Sequence, residues 1–209
     1  MSSLYSQPIT PKTIGAVILA AGQSRRMGRP KMVLPWGRTT VIARVAEVLL
    51  AAGLAEVIVV TGGSYTDVET ALQHLPVQTI FNPQYTNNDM LHSLQVGLGM
   101  HHENIQATVV ALGDQPQIEI ATVRSLVEAY QEIDSPLIIP SFNNRRGHPW
   151  LVSRTLWPDV FALHAPATPR DFLNQNVDRI HYITVTTPSI LKDLDTPADY
   201  DRERPDFTG

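Results

Sequence analysis

The residues of this chain best suited to chemistry lie in one stretch, Leu19-Ala20-Ala21-Gly22-Gln23-Ser24-Arg25-Arg26-Met27-Gly28-Arg29-Pro30-Lys31. Gly22 and Gly28 let backbone approach a ligand closely and reach φ > 0. A run of backbone NH groups in such a loop can line an anion-binding concavity. Ser24 adds a hydroxyl donor. Arg25, Arg26, Arg29 and Lys31 put four cations within seven residues, in a chain of formal net charge −4. The combination suits a triphosphate. Taken alone, it equally describes a surface loop with turn glycines and solvated cations. Two common phosphate fingerprints are missing. Lys31 stands between Pro30 and Met32, which breaks G-x-x-x-x-G-K-[ST], and no G-x-G-x-x-G occurs. That excludes a P-loop NTPase and an ordinary dinucleotide site.

The elements around the loop read as alternating strands and helices. Ile14 to Leu19 is a short apolar run bounded by turn residues, the pattern of a buried strand. Val41, Ile42, Val45, Val48, Leu49 and Ala52 fall on one helical face, with Thr39 or Thr40 to cap it and Gly53 to end it. Val57–Val60, Val77–Phe81, Thr108–Leu112, Leu137–Ile139 and Ile180–Val185 are further strands. Ser64-Tyr65-Thr66-Asp67 resembles a capping box for a helix carrying Val68, Ala71, Leu72 and Leu75. Ser93 to Met100 and the stripe Val123, Leu126, Val127 and Tyr130 are two more helices, with weaker candidates at Ser153–Leu163 and Asp171–Asn174. Continuous apolar strands alternating with amphipathic helices predict an α/β fold, a mostly parallel sheet with helices on both faces. Ligands bind such folds beyond the carboxyl ends of the strands at a switch point, which here marks the loops after Leu19 and after Leu112. The expected organisation is a flexible leader over residues 1–13 and one domain over 14–203.

Composition narrows the partners. With 209 residues and 43% hydrophobic content, a sizeable core forms in one α/β domain. The acidic balance argues against general nucleic-acid binding. There is no cysteine, so disulfides, thiol catalysis and Cys-bound zinc are excluded. The start of the chain shows neither a signal peptide nor a membrane span, and a cytosolic location is expected.

The loop then carries a resemblance. L-A-A-G-x-S-x-R-M-G-x-x-K after a first strand is a nucleotidyltransferase signature, matched by Leu19, Ala20, Ala21, Gly22, Ser24, Arg26, Met27, Gly28 and Lys31. Within that family the chain looks most like the molybdenum-cofactor cytidylyltransferases. Gly113-Asp114-Gln115-Pro116 matches their G-D-Q-P, Gly147-His148-Pro149 their G-H-P, and Asp193-Leu194-Asp195-Thr196-Pro197-Ala198-Asp199 their late D-[IL]-D-T-P-x-D. Four motifs in the right order span nearly the whole chain. Two departures stand out. Relatives commonly carry glycine where Asn88 or Asp89 stands. Their G-D-x-G-x-R segment is replaced by His164-Ala165-Pro166-Ala167-Thr168-Pro169-Arg170, which keeps only the arginine.

The resemblance implies a three-layer Rossmann-like nucleotidyltransferase fold and transfer of a nucleoside monophosphate from an NTP, with CTP as donor, to molybdopterin or a related phosphorylated acceptor. It implies nucleotide contacts at Leu19, Ala20, Ala21, Gly22, Ser24, Arg25, Gly28, Lys31, Asn82 and Ser93, and acceptor contact at His148. Lys31, Arg26 and Asp114 carry the catalysis, and Asp114 with Asp195 holds Mg²⁺, or Mn²⁺ in its place. Ala21 stands where guanylyl relatives carry a second glycine, hence the preference for CTP. A molybdoenzyme client is a further implied partner. Isoprenoid-pathway cytidylyltransferases, sugar-phosphate nucleotidyltransferases and a non-catalytic nucleotide-binding chaperone share parts of the pattern. Local chemistry offers other roles: Asp114 and Asp195 are also good cap or turn residues, and Asp193 and Asp199 read as structural. His101-His102 reads as a solvated helix end, and Trp36, Trp150 and Trp157 as core or rim aromatics.

Overall fold

The computed structural model describes residues 12–87 and 90–205. In chain order they form β1 (Ile14–Ala20), β2 (Pro35–Trp36), β3 (Thr39–Thr40), α1 (Val41–Ala51), β4 (Val57–Thr61), α2 (Tyr65–Leu72), β5 (Gln78–Phe81), α3 (Met90–Met100), β6 (Ala107–Leu112), α4 (Ile120–Glu132), β7 (Leu137–Phe142), β8 (Arg145–Arg146), β9 (Trp150–Ser153), α5 (Trp157–Phe161), α6 (Pro169–Gln175), β10 (Ile180–Thr184) and α7 (Pro197–Glu203). Most of the expected leader and the pair Asn88-Asp89 lie outside the described residues. Lys12, expected in the leader, is tied down: its Nζ donates to the Tyr130 carbonyl at 2.8 Å.

The main sheet runs β10-β7-β9-β6-β1-β4-β5, with the short β8 on β7. It is parallel except around β9, which runs antiparallel to both β6 and β7, and at the β7–β8 pair. β1 is central because every side chain it carries is buried, which only a strand covered on both faces allows. Its alternation splits the core. Ala16, Ile18 and Ala20 join the cluster under α1, α2 and α4, while Val17 and Leu19 join the cluster under α3, α5 and α6. The result is three layers. α3 sits so close that a Cβ on Gly97 would lie 2.5 Å from Val17, so glycine is needed there. Among the described residues no helix is long and apolar enough to cross a membrane.

Several local expectations are corrected. Thr40 caps α1 through its side chain, and Gly53 follows that helix at φ 90°. Ser64 precedes α2 but makes no side-chain cap, because its backbone is not extended (φ −112°, ψ 32°). Trp150–Ser153 is a strand that periodicity misses, and only the end of Ser153–Leu163 is α-helical. Asp-Thr-Pro is less a turn than a helix start: Thr196 and Asp199 form a capping box with Pro197 in the first turn of α7. His101 is not solvated. It is buried, its Nδ1 lies 2.6 Å from Glu56 Oε2, and its ring stacks on Trp157 at 5.7 Å. Trp36, Trp150 and Trp157 are core residues.

Candidate active site

Between β1 and β6 the connections leave in opposite directions, β1 leading to β4 on one side and β6 lying on the other. The crevice at this switch point is where the two marked loops meet. Gly113 NH donates to the Leu19 carbonyl at 3.0 Å, so the two strand ends are held level. A Cβ at Gly113 would meet Ala20, Ile42 and Met32 at 3.1 Å, which keeps this crossing tight.

The Gly-rich loop turns on Ser24, which sits at φ 50°. Its carbonyl accepts from the NH groups of Met27 and Gly28, and its hydroxyl accepts from Lys31 NH at 3.2 Å. Ser24 therefore shapes the loop from within, and its hydroxyl has one bond already made. Gly28 follows at φ 68°. The loop returns into a 3-10 turn at Lys31–Val33 that delivers the Lys31 side chain inward. Arg25 is exposed and bonded through Nε to Gln23 Oε1 at 3.0 Å.

Lys31 is not the exposed loop cation that its position suggests. Its side chain is 11% exposed, its Nζ lies 2.5 Å from Asp114 Oδ2, and Asp195 Oδ1 is 3.6 Å away. Arg26, 71% exposed, reaches the other oxygen of Asp195 at 3.1 Å. The two carboxylates are brought together through the backbone: Leu194 NH donates to the Asp114 carbonyl at 3.1 Å. Gln115 Nε2 donates to Asp193 Oδ1 at 2.5 Å from a buried position. Burial pushes the Asp193 carboxyl up, against the Gln115 hydrogen bond and with the charges of Asp114 and Asp195. Asp193 and Gln115 are thus members of this cluster, although Asp193 read as structural. Asp199 is structural as expected: the Thr196 bonds, with Arg202, pull its carboxyl down to about 2.

A cavity of about 250 Å³ opens onto this cluster, lined by Leu19, Ala21, Gly22, Arg26, Lys31 and Asp114, with Ser93, Tyr85 and Met90 opposite. Ala20 is buried in the core layer behind it. Asn82, expected to touch the nucleotide, is fully buried and donates through Nδ2 to Ser93 Oγ at 2.9 Å. It holds Ser93 and is not among the residues that line this cavity. A second cavity of about 660 Å³ adjoins the first, with Met90 lining both. His148 lines this second cavity, and so does Arg170. Gly147 sits against the chain at Ile190, where a Cβ would lie 2.1 Å from the carbonyl oxygen, and His148 NH donates to that carbonyl at 3.1 Å. Tyr85 and Met90 were missed at the sequence level and nothing local marks them. Gln115 was visible only as a motif member.

The carboxylate pair fits a divalent cation. Asp114 and Asp195 are hard oxygen donors that both lie within 4 Å of one ammonium, so a cation already occupies the space between them. Among the described residues no group of three or more protein ligands is gathered.

Comparison with known proteins identifies the family. Residues 16–180 match the family described as MobA-like NTP transferase domain. The chain is 30% identical over 195 residues to nicotine blue oxidoreductase of Paenarthrobacter nicotinovorans, across 88% of this chain and 92% of that protein. It is 27% identical over 189 residues to the molybdenum cofactor cytidylyltransferase of Escherichia coli K12, across 90% and 93% of the two chains. A crystal structure of a Mycobacterium tuberculosis H37Rv protein superposes with a TM-score of 0.82 at 28% identity, covering 92% of this chain and 98% of that one. A structure of the same protein in complex with manganese superposes at a TM-score of 0.71 and 27% identity, covering 91% and 97%. By the profile that spans most of its length and the relatives that cover nearly all of it, this chain belongs to the MobA-like NTP transferase family.

Proposed function

We propose that this protein is a divalent-metal-dependent nucleotidyltransferase that moves CMP from CTP onto a phosphorylated acceptor of the molybdopterin type. The observation that carries the reading is the charge cluster at the switch point: Lys31 buried between Asp114 and Asp195, with Arg26 on the outside, at the mouth of a cavity lined by the Gly-rich loop. An acceptor phosphate oxygen attacks the α-phosphorus, the bond to the bridging oxygen of the β-phosphate breaks, and pyrophosphate leaves. The chain's share is positioning and charge neutralisation. The loop NH groups cradle the phosphates. Lys31 exchanges its carboxylates for phosphate oxygens and, with Arg26, neutralises charge growing on the leaving group. Asp114 and Asp195 would hold Mg²⁺ or Mn²⁺, which when bound neutralises phosphate charge and orients the reacting groups. His148 faces the acceptor from the adjoining cavity.

The test is pyrophosphate release with each NTP crossed against molybdopterin and common sugar and polyol phosphates. The expected result is release with CTP and molybdopterin, lost on chelation. A clear preference for GTP would overturn the donor assignment, which rests on Ala21. Tight NTP binding without release for any acceptor would favour a nucleotide-binding chaperone of a molybdoenzyme. The Paenarthrobacter relative bears the name of an oxidoreductase. Failure of both binding and release would therefore turn attention to redox chemistry.

A further inference from the structure

Asp114 and Asp195 face one cation, yet backbones of unequal rigidity carry them. Asp114 stands in a turn entered directly from β6. Asp195 lies in an irregular stretch between the 3-10 turn Pro188–Leu191 and α7. The two carboxylates repel each other, and Lys31 offsets this only while its ammonium stays between them. In the transfer reading Lys31 turns to phosphate oxygens, so the spacing of the pair must be held by something else. Three contacts anchor the Asp195 segment. The Leu194 side chain is fully buried in the cluster that holds Trp36 and Tyr200. Its NH donates to the Asp114 carbonyl at 3.1 Å. Gln115 Nε2 donates to Asp193 Oδ1 at 2.5 Å. The first two fix Leu194 alone. The third is a strut that leaves the chain one residue after Asp114 and arrives two residues before Asp195. Gln115 is built for it. The residue is 2% exposed, its NH donates to the Leu112 carbonyl at 3.3 Å, and its carbonyl accepts from Ile118 NH at 3.3 Å. A buried amide costs free energy unless it is hydrogen-bonded, and a bond to a carboxylate is of the stronger, charge-assisted kind.

We propose that Gln115 and Asp193 are positioning residues whose hydrogen bond sets the spacing of Asp114 and Asp195, and through it the affinity of that pair for a divalent cation. The proposal rests on the reading of Asp114 and Asp195 as the carboxylates that hold the metal. A pair kept at fixed spacing need not be drawn together against its own repulsion when a cation arrives, and such preorganisation tightens binding.

Mn²⁺ alone, followed through the paramagnetic resonance of the free ion, is the probe. Gln115→Met keeps the length of the side chain and removes the donor, and Asp193→Ala removes the acceptor. Each should weaken Mn²⁺ binding by about tenfold or more, the size typical of partners one layer behind metal ligands. The double variant should bind no more weakly than the weaker single variant, since both substitutions break one bond. Asp193→Asn separates position from charge. It loses the same charge as Asp193→Ala but keeps an oxygen for Gln115, so it should bind Mn²⁺ about fivefold more tightly than the alanine variant. A bond with a merely structural role would lower Tm and leave Mn²⁺ affinity where it is. Circular dichroism shows which variants are folded; Asp193 is exposed, so its two variants decide if Gln115→Met is not. The proposal is overturned if folded Gln115→Met or Asp193→Ala binds Mn²⁺ like the wild type, if the double variant multiplies the two single losses, or if Asp193→Asn binds no better than Asp193→Ala. Asp114→Asn is the control. If it binds like the wild type, or the wild type binds no Mn²⁺, the metal reading falls and this proposal with it; a loss in the control without one in the Gln115 and Asp193 variants refutes the strut alone.

Discussion

Replacing Lys31 by alanine should both destabilise the protein and silence it, and the two effects should respond differently to metal. The substitution removes an ammonium 11% exposed from between Asp114 at 2.5 Å and Asp195 at 3.6 Å. Removing one partner of a buried pair costs about 3–5 kcal/mol, because the other charge stays behind uncompensated. Here the carboxylates keep 17% and 35% of their exposure, and Arg26 still holds Asp195. The loss should therefore lie nearer 2–3 kcal/mol, at the low end once water screens the remaining charges. For a chain of this size that lowers Tm by roughly 5–10 °C. A lone exposed loop lysine would instead leave stability nearly unchanged. Mg²⁺ should recover part of the loss, since the emptied carboxylate pair becomes a better cation site; a ligand at ten times its Kd adds about 1.4 kcal/mol. Turnover should not recover. A charge acting on the transition state is worth on the order of 3 kcal/mol, about a hundredfold in rate. Scanning calorimetry with and without Mg²⁺, beside kcat/KM for pyrophosphate release, makes the measurement. The reasoning fails if the variant melts with the wild type, if Mg²⁺ shifts both proteins equally, or if kcat/KM is unchanged.

Asp114→Asn should reduce metal-dependent turnover by more than a hundredfold and more severely than Asp195→Asn, because Asp114 is the more buried carboxylate and follows β6 directly; equal losses in Mg²⁺-titrated assays would remove the distinction. Gly147→Ala should destabilise by about 2 kcal/mol or more, since its Cβ would meet the Ile190 carbonyl oxygen at 2.1 Å and neither backbone can yield cheaply; denaturant melts showing no change would mean that this loop is free to move. Burial lowers the His101 pKa, so the folded protein resists a proton that the unfolded chain accepts below its ordinary 6.5. The unfolded state then binds more protons, and stability falls as pH drops below 6.5. His101→Gln should flatten that slope between pH 7 and 5, and an unaltered slope would assign the acid sensitivity to other groups.

How much of this was legible beforehand depends on the range of the forces involved. β1, β4, β6 and β7 announce themselves because a strand buried on both faces must be largely apolar, and their runs are, with Thr61, Thr108 and Ser141 the polar exceptions. β9 escapes because Trp150–Ser153 is four residues long and its neighbours β6 and β7 define it. α7 has a capping box in plain view at Thr196 and Asp199, but only Tyr200 among its residues is buried, so no apolar stripe reveals it.

The sequence by itself determined that the loop has the make-up of a phosphate-binding one, since glycines, a serine and a cation cluster at short spacing are local facts. It also determined the parallel sheet and, with it, the switch point at which the loops after Leu19 and Leu112 must lie. Tertiary structure decided the rest. Lys31 meets Asp114 across 83 positions of chain, and its burial and the recruitment of Asp193 follow from that meeting of distant segments; Asn82 withdraws behind Ser93 through a separate contact between the end of β5 and α3. Short-range patterns record what a residue can do; which charges share a crevice depends on packing, where separation along the chain sets no limit on proximity.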